Sequence, residues 1–307
     1  MPPPPGAIFA LDESLAAHGR AAIARGELAC VVLAGGMATR FGGVVKAAAE
    51  CLPGRTFLDL KLADAGDVPV ALMASRATEV GVRAEVLRLD RTAGVFTQSV
   101  SLRLTPQGEL FLEDAAPSPY APGHGDLLDA LRVTGTLRGL RARGARTILV
   151  SNVDNLGASP DPALFGLHLS TGRPVTVEVV DRGEGDRGGA PGIVDGRLEI
   201  VEAFRVPPGT DLAGFSTFNT NTFWLQLDAI DRGFDLDEFA VKKEVGGLSA
   251  IQFESLIGQV THFLDSTYVR VPRGGAEGRF TPVKDPEELA LRRPEIEARL
   301  RARGVVA

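Results

Sequence analysis

The sequence predicts a single large α/β domain with antiparallel additions in its second half. Two alternating patterns place it in this class: short apolar runs that stop at Gly, Asn or Asp, and longer segments whose apolar residues recur at helical spacing. Four of the short runs are almost wholly apolar, as strands covered on both faces are. Gly-rich and hairpin-like segments gather after residue 180, which puts the antiparallel additions there.

Taken in chain order, "MPPPPG" at residues 1–6 is expected to be a loose tail, and residues 1–28 form a tail and helix ahead of a domain over 29–307. Helices are predicted over 13–25, 56–65, 125–143 and 286–303. In the third, Leu127, Leu128, Leu131, Leu137 and Leu140 mark one apolar stripe. Strands are predicted over 29–33, 69–74, 147–150 and 174–179. "DRGEGDRGGAPG", residues 181–192, suits a flexible loop or hairpin, and Asp195-Gly196 centres a second hairpin over 193–202. No solenoid repeat and no clean domain linker interrupt this order.

Composition narrows the function classes. The 307 residues are 44% hydrophobic and 23% charged, a globular balance. A net charge of −6 opposes general nucleic-acid binding, which needs an excess of Lys and Arg along a backbone, so any anionic ligand requires a local basic pocket. No run approaches the roughly eighteen apolar residues of a spanning helix, and no charged segment precedes an apolar leader, so no membrane partner and a cytoplasmic location are expected. Cys30 and Cys51 are expected to be structural thiols.

Ligands of open α/β sheets gather at the C-terminal ends of strands, so the chemistry is sought there. "LAGGMATRFGG", residues 33–43, follows the first strand. Gly35 and Gly36 let backbone approach an anion closely, while Thr39 and Arg40 add donors; a plain strand-to-helix turn is equally compatible. The spacing fits neither the dinucleotide fingerprint nor the P-loop. Lys46, flanked by small apolar residues, points into a cleft better than along a wet helix face. At another strand end, "SNVDNLGASPDP" delivers Asn152 and Asp154; the carboxylate suits Mg²⁺ beside substrate phosphates, or simply an Asx-turn. His124 stands between two glycines at a predicted helix start, where backbone can hug a planar base or merely cap the helix. Asn219 and Asn221, two apart on a strand, should share one face and suit sugar hydroxyls, or an edge-strand turn. Arg273, Arg279 and Lys284 form a late basic group that a solvated face would also explain.

In order, these segments resemble the UDP-glucose pyrophosphorylase (UTP–glucose-1-phosphate uridylyltransferase) family from about residue 29 to 289. The resemblance rests on "LAGGMATRFGG", "TFLDLKL", "VFTQ", "PGHGDL", "SNVDNLGASPDP", "GDRGGAPGIVDGRLEIVEAFRVP", "FNTNTFWL", "GLSAIQFESLIGQ" and "VPR…RFTPVKDPEEL". It implies a GT-A-like, Rossmann-like mixed sheet flanked by helices, and Mg²⁺-dependent synthesis of UDP-glucose and pyrophosphate from UTP and glucose 1-phosphate. On this resemblance Leu33, Ala34, Gly35, Gly36 and Thr39 hold the UTP phosphates, Gln98 and Gly123 read the uracil, and His124 lies near the phosphates. Lys46, Lys284 and Arg40 neutralise charge at the reacting phosphorus, and Asp154 binds Mg²⁺. Asn152, Gly189, Glu202, Asn219 and Asn221 contact the hexose.

Three departures from the family pattern stand out: Ala38 replaces a loop glycine, Val45 replaces the proline before Lys46, and "GGAEG" at 274–278 lengthens a connection. The longer connection is expected to displace Lys284 or form a flexible flap. The family's C-terminal β-helix is expected to be absent, and a monomer follows from that. Galactose or N-acetylglucosamine 1-phosphate are alternative substrates, and a non-catalytic UDP-sugar-binding protein is the alternative outside enzymology. Glycosyltransferases fit less well, because their Asp-x-Asp metal motif is replaced here by Asn152-Val153-Asp154-Asn155.

Overall fold

Strands β1 (Ile8–Ala10), β2 (Leu28–Leu33), β3 (Val70–Ala74), β4 (Gly94–Thr97), β5 (Thr147–Asn152), β6 (Val175–Asp181), β7 (Thr217–Gln226) and β8 (Ser266–Arg270) build one sheet in the computed structural model. The structure describes residues 1–38, 41–186, 188–207 and 214–307. The strand order is β1-β8-β6-β7-β5-β2-β3-β4. Every neighbouring pair is parallel except the two made by β7, which runs antiparallel between β6 and β5. The mixed sheet agrees with the α/β class expected.

Alternation along β2 explains the three layers. Cys30 and Val32 face one apolar cluster with Leu72, Phe57, Leu60 and Leu164. Ala29, Val31 and Leu33 face the other with Ala71, Leu127, Leu131 and Leu137. Helices therefore cover both faces, and strands buried on both sides need the continuous apolar runs that the sequence carries. Cys30 and Cys51 are buried and unpaired, and burial pushes both thiols up to about 12, so they act as small hydrophobes.

The helix Phe57–Ala65 begins where Thr56 accepts from Asp59 N at 3.2 Å, and Pro286–Ala302 where Asp285 accepts from Glu288 N at 2.8 Å. The expected helix over 125–143 is divided into Leu127–Val133 and Thr136–Ala142, because Gly135 takes φ +75° between them. The tail is also docked rather than loose: Met1 exchanges hydrogen bonds with Ile193 at 2.9 and 2.7 Å, and β1 pairs in parallel with β8. Residues 274–278 form no flap either. Gly275 O accepts from Arg299 at 3.1 and 3.3 Å, and Gly275 N donates to Glu295 at 3.0 Å. Among the described residues no helix is long and apolar enough to cross a membrane.

A cleft at the C-terminal edge of the parallel strands

The ends of β2, β3, β4 and β5 open on one cleft of about 940 Å³, as expected for an open sheet with parallel strands. Leu33, Gly35, Gly36, Lys46, Gln98, Gly123, His124, Asn152 and Asp154 all line it. The sequence scattered these positions over four segments, and the topology gathers them.

Beyond β2 the chain makes no immediate helix. Met37–Ala38 pairs with Val44–Val45, and Lys46 N donates to Gly36 O at 3.3 Å. Ala38 thus lies in an extended strand, a conformation open to any residue, so its departure from glycine needs no left-handed backbone. Thr39 and Arg40 lie outside the described residues. The N–H groups of Gly35 and Gly36 hold no hydrogen bond among the described residues, although both residues border the cleft. Unpaired backbone donors beside a cavity suit an anion. Ala34, by contrast, is fully buried; its N–H donates to Met73 O at 2.8 Å and its carbonyl accepts from Thr78 Oγ1 at 3.0 Å.

A Cβ on Gly35 would sit 2.7 Å from Gln98 Oε1, so a side chain at this position would push the Gln98 amide aside. Gln98 in turn donates to Gly123 O at 2.6 Å. Gly123 has φ +88°, and a Cβ there would lie 2.4 Å from Ser255 O. These contacts hold Gln98 and Gly123 side by side on the cleft wall. His124 lines the same cleft: its Nδ1 accepts from Ile257 N at 3.0 Å, and burial pushes the imidazole down to about 4. The neutral ring therefore carries its proton on Nε2 and acts as a donor.

Lys46 Nζ reaches Asp154 Oδ2 at 2.7 Å and also donates to Val283 O; both charged side chains are only about one-sixth exposed, at 15% and 16%. Lys284 is exposed and is not among the lining residues, although the carbonyl of its neighbour Val283 is the one that accepts from Lys46; its backbone N donates to Glu288 at 2.7 Å. Among the described residues no cluster of three His, Cys, Asp or Glu side chains could hold a metal. Asp154 offers a single hard oxygen ligand, which fits Mg²⁺ held mainly by phosphate and water rather than by a protein cage.

The residues assigned to the hexose form an adjoining group at the start of β7. Asn219 N donates to Gly189 O at 2.9 Å, and a Cβ on Gly189 would meet Glu202 Oε1 at 2.8 Å. Burial raises the Glu202 carboxyl. The expectation that Asn219 and Asn221 share a strand face is corrected: β7 bulges against β6, where Glu178 faces Thr222 but Val179 faces Asn219. Asn221 takes φ +58°, its N–H donates to Asn219 Oδ1 at 3.0 Å, and its Nδ2 donates to Asn152 Oδ1 at 3.0 Å. The bulge carries Asn221 across to the neighbouring β5, and so links this group to the cleft.

Two of the late basic residues, Arg279 and Arg273, are held in ion pairs within the fold. Arg279 is 3% exposed and forks onto the fully buried Glu178 at 2.6 and 2.8 Å. Arg273 pins the Gly-rich segment through Asp186 at 2.7 and 2.8 Å. Sequence reasoning missed Arg76 and Arg103 on the cleft wall. Arg76 lies two residues beyond β3, so the strand-end rule could have found it, and among the described residues it has no acidic partner. Arg103 donates to Ser118 Oγ at 2.6 Å and Pro119 O at 2.9 Å, and only the folded chain assembles that site.

A family profile described as UTP--glucose-1-phosphate uridylyltransferase matches residues 2–297. The UTP--glucose-1-phosphate uridylyltransferase of Saccharomyces cerevisiae is 30% identical over 88% of this chain and 60% of its own length. This chain thus spans about three-fifths of that relative. A UDP-glucose phosphorylase structure from Trypanosoma brucei superposes with TM-score 0.75 at 25% identity, covering 87% of this chain and 65% of that one. A uridine diphosphate N-acetylglucosamine pyrophosphorylase from the same organism, in complex with an inhibitor, shares the fold with TM-score 0.81 at 19% identity over 94% and 71% of the two chains.

Proposed function

This chain belongs to the UTP–glucose-1-phosphate uridylyltransferase family, and we propose that it makes UDP-glucose and pyrophosphate from UTP and glucose 1-phosphate. One observation carries the reading: Lys46 and Asp154 meet at 2.7 Å in the same cleft that Gly35 and Gly36 border, whose amides have no partner among the described residues. Cation, carboxylate and free backbone donors together suit a polyphosphate.

In this reading Gln98 and Gly123 form the uracil slot, and Gly35 and Gly36 donate to the phosphates. His124 Nε2–H adds a neutral donor. Glucose 1-phosphate enters from the side of Asn152, Asn221, Asn219, Gly189 and Glu202, where amide and carboxyl groups suit hydroxyls. The sugar phosphate is anionic at neutral pH, so its oxygen attacks the α-phosphorus in line without a general base. Lys46 leaves Asp154 and neutralises the charge that grows on the α-phosphate oxygens. Lys284 follows Val283, whose carbonyl accepts from Lys46 Nζ, so its exposed ammonium stands beside Lys46 for the same task. Mg²⁺, held at Asp154 together with phosphate oxygens, would offset charge on the departing pyrophosphate.

The test is release of pyrophosphate from UTP and Mg²⁺ with a panel of glucose, galactose and N-acetylglucosamine 1-phosphates. Glucose 1-phosphate should give the highest kcat/KM. Faster turnover of another sugar would move the assignment to that sugar, and folded protein inactive with all of them would end the enzymatic reading.

A further inference from the structure

The segment that follows the proposed metal carboxylate is buried, and each of four consecutive carbonyls in it accepts from a cationic side chain. Lys61 Nζ donates to Asn155 O at 2.8 Å and also to Ala158 O. Arg303 donates through Nη1 to Leu156 O at 3.2 Å and through Nη2 to Gly157 O at 3.0 Å. Asp64 holds Arg303 at 2.9 Å, and both Lys61 and Asp64 belong to the helix Phe57–Ala65. The segment is already closed without these cations: Asn155 Oδ1 accepts from Gly157 N at 3.3 Å and Thr281 N at 3.1 Å. Lys61 is 5% exposed, and burial pushes its ammonium down to about 8. Burying a charge is costly, and its hydrogen bonds go to this segment alone.

The uridylyl-transfer reading gives that cost a purpose, because Asp154 immediately precedes the clamped carbonyls and a small error in its placement would be expensive. Resting on that reading, we propose that Lys61 and Arg303 are positioning residues, which fix residues 155–158 and through them aim the Asp154 carboxylate at the phosphates. They touch neither the cleft nor any group that lines it directly. Their effect should therefore fall on the placement of Asp154 and leave the uracil slot alone.

Lys61→Met and, as a milder change at a partly exposed side chain, Arg303→Gln test this in the full chain. Each variant should lower kcat about tenfold or more while KM for UTP stays within threefold. Mn²⁺ affinity in the presence of UTP, read by electron paramagnetic resonance, should weaken at least fivefold. Amide exchange across residues 153–159 should speed up about tenfold, with the rest of the chain unchanged. If Lys61→Met does not fold, Arg303→Gln decides with the same readouts. Exchange and Mn²⁺ affinity at wild-type values in a folded variant would overturn the clamp. So would faster exchange accompanied by unchanged Mn²⁺ affinity. Neither readout needs turnover, so a wild-type chain that makes no UDP-glucose would retire the functional reading while Mn²⁺ binding still judged the clamp.

Discussion

The Lys46 ammonium lies 2.7 Å from the Asp154 carboxylate, pairing the segment after β2 with the end of β5 across the floor of the cleft. The pair holds both groups in place before substrate arrives. Each must then change partner, lysine to the α-phosphate and carboxylate to the metal.

Opposite effects on catalysis and metal binding follow from that exchange. Lys46→Met should cut kcat by about 10²-fold or more, as removal of one electrostatic donor does elsewhere. It should also tighten Mn²⁺ binding, because Asp154 loses its competing cation. Isothermal titration alongside steady-state kinetics measures both. Equal weakening of metal and turnover would contradict the exchange.

Gly35 and Gly36 separate structural from ligand-facing need. A methyl on Gly36 meets nothing within 4 Å, so Gly36→Ala should leave Tm within about 2 °C yet raise KM for UTP about tenfold, through phosphate crowding. Gly35→Ala should displace Gln98, whose Oε1 is 2.7 Å from the added atom, and weaken UTP binding even without a sugar substrate. Thermal melts with and without UTP distinguish the two.

Arg279→Met should cost about 3–5 kcal/mol, because it strands the Glu178 carboxylate at 0% exposure with the Trp224 indole donor at 3.0 Å. Replacing both partners, as Arg279→Met with Glu178→Gln, should recover much of the loss. Urea unfolding reads both values, and a loss confined to kcat would place Arg279 in the reaction instead.

His168 is fully buried and burial pushes it down to about 4 from its ordinary 6.5. The unfolded chain binds this proton first, so the contribution is whole above about pH 6.5 and is lost as pH falls toward 4, by about 3 kcal/mol in all. His168→Asn should flatten the fall in stability across that window, measured by denaturant titration at pH 7 and pH 4.5. An equally steep fall would assign it to other groups.

The strands were legible because β2, β3, β5 and β6 are buried on both faces, which demands unbroken apolar runs. The helix Pro162–Thr171 was not, because it is buried nearly all round and has no apolar stripe. Its start was nevertheless written in Asp161-Pro162, where Asp161 accepts from Ala163 N and Leu164 N at 2.9 Å. The cleft residues Gly35, Lys46, Gln98, His124 and Asp154 could be picked out from strand ends and family order. The bulge at Asn221 could not, since two extra residues in a strand look like ordinary alternation until the partner strand is known. Lys61 and Arg303 were hidden for the same reason: their carbonyl partners lie far away in sequence.

The most direct measurement is the reverse reaction. Purified protein is incubated with UDP-glucose, pyrophosphate and Mg²⁺, and ³¹P resonances are followed over time. The triphosphate signals of UTP and the monoester signal of glucose 1-phosphate should grow together, and Lys46→Met should slow their growth about 10²-fold. Bound UDP-glucose that persists unchanged beside pyrophosphate would contradict the account and leave a binding protein in place of an enzyme.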